Sequence, residues 1–452
     1  MPRSFLPIRA LAIALTFGVV SCATQKPPPE LPTAAVKTAT MDITPGIEVL
    51  TRVNLPAGFV PSPDYAPMWL QAGKEVAIAG TRDGQAVVMG YGGLAFRTER
   101  IIAQDGGLGA QDGRLVDLAV SPDGMVLALA VANSTQKRLD VVTRDVISEG
   151  AANPVSSFDG EFESVSLGWL GEFTISLALR APLDNGAPRE ATNPASGPTL
   201  ALAAASSGLY VINTSGVVTT GYLKLNCRLS PMSWSPEGIV GVGSGDTTAP
   251  PIIVDRAKEA CQRINPPAPI RMLDWAHDSK SFLYRETTPA TGIYRYDLAT
   301  GAARLVAISS GAAAYVGNDQ VLALGSGSLT FRGAQFASTT PIRAEVALSN
   351  PAGTDTEVEP LGFNTTPAML AASTMSYTSA TDMAAIATFS PTPTGSMRKI
   401  VVYSVAGKRA FLVAFGPERG AITMSWSPRG RYLAIADGDA TAAALTIMAP
   451  PH

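Results

Sequence analysis

Histidine is almost missing from this chain: two occur in 452 residues, His277 and the terminal His452. A histidine-ligated zinc site or a Ser-His-Asp triad would have to be built on His277, and neither His-x-His nor His-Glu-x-x-His spacing occurs. His277 fills a turn position, so a surface side chain is its expected role. No Gly-x-Ser-x-Gly elbow is present. Gly241-Val242-Gly243-Ser244-Gly245 and Gly325-Ser326-Gly327 lack the lysine of a phosphate loop and read as strand-to-strand turns. Asp105-Gly106 and Asp112-Gly113 lack the alternating acidic ladder of a calcium loop and read as plain turns. No metal or other cofactor is expected. Charge is also scarce, at 16% Asp, Glu, Lys and Arg with a net of −3. A long-helical protein draws on more charged residues, and a nucleic-acid surface needs a basic excess, so both classes are excluded.

What is present begins at the N-terminus. Arg3 and Arg9 flank a short apolar run, Ala10 to Val20, too short to stay in a bilayer as a spanning helix. It ends in Val19-Val20-Ser21-Cys22, which resembles a lipobox, so residues 1–21 read as a lipoprotein signal peptide and Cys22 as the lipidated residue. Several acyl chains on one cysteine anchor a protein stably where one would not. Ala23 in place of aspartate favours sorting to the outer membrane, on its periplasmic or surface face. Residues 22–45, with Pro27-Pro28-Pro29 and few large apolar groups, read as an extended linker. No later apolar run approaches bilayer length, so residues 46–452 read as a soluble body on a lipid tether. Cys227 and Cys261 remain, without CxxC spacing; in an oxidising compartment the pair forms a disulfide or stays as two buried thiols.

The body repeats. All five tryptophans fall at one point of a local pattern: Trp69, Trp169, Trp234, Trp275 and Trp426. Val120, Tyr315 and Tyr377 take that place in three further copies, and the eight anchors are 51, 49, 65, 41, 40, 62 and 49 residues apart. In each copy an apolar strand runs into the anchor, a tight turn follows, and a second apolar strand leaves. Ser121-Pro122-Asp123-Gly124 suits a type I turn, with proline presetting φ and glycine accepting φ > 0. Third and fourth strands follow, as in Gly208–Ile212 and Ala303–Ile308. Four strands per 40–50 residues is the period of a propeller blade. The fold class is therefore all-β, a β-propeller with eight blades by anchor count, or seven if the irregular stretch from Thr330 to Pro367 hides no blade of its own. A pair of β-sandwiches is the competing architecture, and sandwiches rarely repeat a Trp-turn motif. After Trp426 only two strands fit, and Gly46–Leu55 is strand-like with no partner nearby in sequence. Pairing those ends would close the ring and remove two exposed edges.

Trp-Ser-Pro-[Asp/Glu]-Gly followed by an apolar strand resembles the propeller repeat of the TolB family, which is also similar to repeats of prolyl-oligopeptidase-type propellers and actinobacterial lipoproteins. The match is close at Ser121-Pro122-Asp123-Gly124, Trp234-Ser235-Pro236-Glu237-Gly238 and Trp426-Ser427-Pro428-Arg429-Gly430, and looser at Trp275-Ala276-His277-Asp278-Ser279. It covers roughly residues 60 to 448 and implies a WD-like propeller, with nothing implied about activity. The N-terminal α/β domain of TolB has no counterpart here, and TolB is not lipidated, so its partners are not carried over.

The expected function is a non-catalytic cell-envelope scaffold that binds envelope proteins or cell-wall material. Asp184–Pro198 and the stretch near Asn350–Pro367 depart most from the minimal period and are the expected partner loops. The alternative is a propeller enzyme, a glycan lyase, hydrolase or lactonase, with carboxylates such as Asp117, Asp274 and Asp382 converging in the central channel. The tryptophans are expected to pack between blades, not to form a sugar platform.

Overall fold

The computed structural model describes residues 43–450 except 46, 48, 108–112, 149–151, 183–202, 205–207, 216–218, 224, 226, 247–249, 265–268, 288–291, 309–310, 326–340, 350–355 and 418–419. The chain divides into Met1–Thr33 and Ala34–His452, and every described residue lies in the second unit.

That unit is an eight-bladed propeller of antiparallel sheets. Numbered along the chain, the blades begin on the innermost strands Met68–Leu70, Gly113–Val120, Ser164–Gly171, Met232–Trp234, Ile270–Trp275, Ala313–Val316, Thr374–Thr378 and Ala421–Trp426. All eight anchors of the repeat lie on these strands. The last blade is completed by Val49–Asn54, which pairs antiparallel with Ala442–Met448 and becomes its outermost strand. The N-terminal part of the body thus closes the ring.

Second strands explain how the blades pack. They alternate small and large residues: Ala77 and Ala79 with Val76 and Ile78, Ala128 and Ala130 with Leu127 and Leu129, Ala434 and Ala436 with Leu433 and Ile435. Successive side chains leave a strand on opposite faces, so each such blade has an alanine face and a bulky face. Ala77 and Ala79 of blade 1 meet Leu127 and Leu129 of blade 2. Ala128 and Ala130 meet Ile175, Leu177 and Leu179 of blade 3. Ala385 and Ala387 of blade 7 meet Leu433 and Ile435 of blade 8, and Ala434 and Ala436 meet Val76 and Ile78 of blade 1. Large against small on facing sheets lets the two faces close on each other without overpacking.

Four details differ from expectation. Within the stretch read as linker, Ile43–Pro45 pairs parallel with Ala410–Leu412 on the outer edge of blade 7. The innermost strand of blade 1 is broken: Phe59–Pro61 and Met68–Leu70 both pair with Glu75–Arg82, and residues 62–67 loop out between them. Thr356–Thr365, expected as part of a partner loop, is the outer strand of blade 6, paired with Ile342–Ser349. Its charged and small residues hid it, because an outer strand needs no continuous apolar run. Finally, Gly241 and Gly243 lie inside the second strand of blade 4, not in a turn. A Cβ at Gly241 would stand 2.6 Å from Met232 Cε and 3.0 Å from the Trp234 ring, so close packing explains the glycine.

Candidate functional site

The anchors tie neighbouring blades together. The indole N–H of Trp169 donates to the Ala119 carbonyl (3.1 Å), that of Trp426 to Ser376 (3.0 Å), and that of Trp69 to Ser425 (3.2 Å). Trp275 donates to the Ser233 hydroxyl at 3.2 Å. Each acceptor is the residue immediately before the anchor of the preceding blade, so the bond repeats in register. At Trp234 the equivalent position is Gly168, where an added Cβ would stand 2.7 Å from the indole. A buried indole needs a partner for its N–H, and the repeat supplies one.

The turns following the anchors interlock in the same direction. Ser235, Ser427 and Ser121 each donate a backbone N–H across the hairpin, and their hydroxyls accept one back from Val240 (3.3 Å), Tyr432 (3.0 Å) and Val126 (2.9 Å). The motif glycines Gly124, Gly238 and Gly430 stand at φ +71, +66 and +64. Ser279 takes that place after Trp275, at φ +58.

Two of the three carboxylates proposed for a channel lie on innermost strands, and backbone amides hold both. Asp274 accepts from its neighbour Trp275 N (2.9 Å) and from Tyr315 N of blade 6 (2.7 Å). Asp117 accepts from Leu118 N (2.8 Å), from Leu167 N of blade 3 (2.6 Å) and from the Tyr65 hydroxyl, delivered by the loop that breaks blade 1. Burial pushes Asp274 up to about 6, against the two amides and His277, which pull it down. Burial likewise raises Asp117, with Tyr65 and the amides opposing. Both follow a bulge in the strand, which turns the carboxylate toward the next blade. Asp382 is elsewhere: it stands at φ +54 in a blade 7 hairpin, accepting from the Tyr377 hydroxyl and Ala406 N, both at 2.8 Å.

Two concavities lie on the face that carries the anchor turns. One, of about 620 Å³, is the channel mouth, lined by Trp234, Asp274, Trp275, His277, Tyr377 and Trp426 among others. The larger, of about 950 Å³, follows the seam between blades 8 and 1. Phe96 and Tyr432 line it, edge-on to each other at 5.8 Å, and both pack on Trp69, which stacks on Tyr432 with centroids 6.2 Å apart and meets Phe96 edge-on at 5.8 Å. Glu75 is buried beside it and takes two bonds from Arg100, at 2.8 and 2.7 Å, and one from Gln71 at 3.0 Å. Lys74, Arg429 and Arg431 stand exposed on its rim, and Leu94 is 95% exposed beside them. Two walls are backbone turns in left-handed conformation without glycine at the strained positions: Gln71 and Ala72 at φ 50 and 55, Ala95 and Phe96 at φ 57 and 55. Such conformations cost energy and persist where surrounding structure holds them, often at binding sites.

No protein-family model and no curated protein matches the chain. Among solved structures it is similar to the Dos1 propeller, with TM-score 0.50 and 11% identity over 89% of this chain and 95% of that one. A prolyl endopeptidase matches at TM-score 0.46 and 14% identity, covering 84% of this chain but 54% of its own. TolB of Agrobacterium tumefaciens matches at TM-score 0.32 and 14% identity, over 60% of this chain and 86% of its own. The likeness to the Dos1 propeller is one of fold and says nothing of activity.

The remaining expected residues fall as follows. Cys227 and Cys261 are joined in a disulfide with Cα atoms 6.3 Å apart, fastening the entry to blade 4 onto its outermost strand. Asp105 is a turn residue whose carboxylate accepts from Leu115 N (2.7 Å) and Ala86 N (2.9 Å). His277 is exposed in its turn. Cys22, Asp112, Ser326 and Gly327, the loop Asp184–Pro198 and His452 lie outside the described residues. Among the described residues, no three His, Cys, Asp or Glu side chains group as metal ligands would. The seam groove was missed from sequence. Positive φ at Gln71, Ala72, Ala95 and Phe96 has no compositional signature, and the only hint was the unaligned run Gly92-Gly93-Leu94.

Proposed function

We propose that this chain is a lipid-anchored protein of the bacterial cell envelope, whose propeller binds a partner protein and carries out no chemistry of its own. The observation that carries the reading is the state of Asp117 and Asp274. Each carboxylate is held by backbone amides of its own strand and of the next blade, so both act as clamps in the wall. A general acid, base or nucleophile must instead reach a substrate with a lone pair or proton to offer. The rigid ring meanwhile presents connecting loops on two faces, the arrangement by which scaffolds bind partners. The envelope location rests on residues 1–22 and the anchor on Cys22.

Two measurements test this. Cys22→Ser should abolish labelling by a palmitate analogue in cells and release the protein from membranes; unchanged labelling removes the anchor from the account. Purified wild-type protein should show no turnover of glycan or peptide libraries. Turnover that disappears in Asp274→Asn would instead make the channel an active site.

A further inference from the structure

We infer that the groove between blades 8 and 1 is a docking site for an extended acidic segment of a partner protein with apolar residues interspersed. The inference rests on the binding reading above and names its surface and ligand chemistry.

Charge gives the sign of the ligand. Of the described residues lining the groove, Glu75 is the one carboxylate, and Arg100 neutralises it through two bonds. Lys74, Arg429 and Arg431 make no ion pair with the described residues and are exposed on the rim. Three cations thus face a neutral floor in a concavity, where low-dielectric walls strengthen the field felt by an anion. Apolar surface gives the rest. Leu94 at 95% and Leu50 at 43% exposure both line the groove, together with Phe96 and Tyr432. These side chains give an apolar residue of a ligand something to bury against beside the cations.

Shape and rigidity favour a peptide over a lipid surface. A volume of about 950 Å³ is at the upper end of ligand pockets, and it is recessed between two blades where a flat bilayer would meet only the rim. Its walls are preorganised by the four non-glycine residues at positive φ, which keeps ordering cost on binding low. The chain's own segment between Cys22 and Ile43 is not the occupant by charge, because Lys26 and Lys37 outnumber Glu30 ahead of Asp42 and leave it without an acidic excess.

The test uses the full-length protein in detergent and a fluorescein-labelled peptide of alternating glutamate and leucine, followed by anisotropy. Binding should weaken with added salt, as screened charge contacts do. Arg429→Glu combined with Arg431→Glu should weaken it by roughly tenfold or more, and Leu94→Ser should weaken it while leaving the melting temperature unchanged. If the double variant fails to fold, Lys74→Glu, on a separate turn, replaces it. The matching lysine–leucine peptide should not bind. Equal binding to wild type and charge-reversed protein would overturn the proposal. So would binding to phosphatidylglycerol vesicles through Leu94 without peptide binding, which assigns the rim to a membrane. A protein that ignores the peptide yet still captures its envelope partner through another face overturns the groove and leaves the scaffold reading intact.

Discussion

At the scale of the residue, the wall aspartates show how one side chain serves structure where its type suggests chemistry. Asp274 is raised by burial to about 6, while the unfolded chain holds an ordinary carboxyl near 3.9. Between those values the folded protein keeps a proton that the unfolded chain has released. The resulting stabilisation is complete below about pH 4 and is lost as pH rises through about 6. Asp274→Asn cannot titrate, so the stability of wild type relative to this variant should fall by about 2–3 kcal/mol between pH 4 and pH 8. Chemical denaturation across that range measures it, and a constant difference would contradict the account. The role was half legible in sequence. Asp117 and Asp274 could be placed near the axis from their strands, but not their partners, because Leu167 and Tyr315 come from the following blades.

The interlocked turn is the element on which the blades depend. Gly238 stands at φ +66, and a Cβ there would lie 2.4 Å from the Leu170 carbonyl oxygen and 2.7 Å from its Cα. Gly84 has similar backbone, φ +81, with nothing within 4 Å of an added Cβ. Gly84→Ala should therefore cost only the left-handed conformation, about 1 kcal/mol. Gly238→Ala adds a collision with backbone and should cost about 3 kcal/mol or more. Urea midpoints of the two variants distinguish them; equal midpoints would mean that the turn does not pack against blade 3. The disulfide acts at the same scale. It joins residues 34 apart, and by loop-closure entropy Cys227→Ser with Cys261→Ser should cost about 3–4 kcal/mol.

For the whole molecule, the decisive contact joins its two ends. Val53 faces Leu445 and Asn54 faces Ala444 in the closing pair. Arg52 of the closing strand lies 3.6 Å from Asp437, which also takes buried Arg398 of blade 7 at 3.3 Å. Removing Ala442 to His452 deletes the third strand of blade 8 and strands Val49–Asn54 without a partner. It also removes Ala443, Leu445 and Ile447 from the cluster that covers Val76 and Ile78 of blade 1. The expected result is a melting temperature lowered by many degrees and loss of a cooperative transition in the whole ring. Local fraying with an unchanged transition would mean that closure is not needed.

The amino-acid sequence alone pointed to eight blades, with seven left open until the outer strand Thr356–Thr365 was seen, and it marked the anchors, the turn chemistry and the pairing of the ends. These are periodic, local signals: an aromatic at one register and a Ser-Pro-x-Gly hairpin between apolar strands. Each follows from backbone conformation and strand period, which act over a few residues. Tertiary structure decided the outer strand Thr356–Thr365, the break in blade 1 and the closing of the channel carboxylates onto neighbouring amides. It also decided the seam groove, where left-handed Gln71, Ala72, Ala95 and Phe96 line the junction of blades 8 and 1. Contacts between residues as distant as Trp69 and Tyr432 have no local trace, because sequence separation says nothing of proximity until the ring closes.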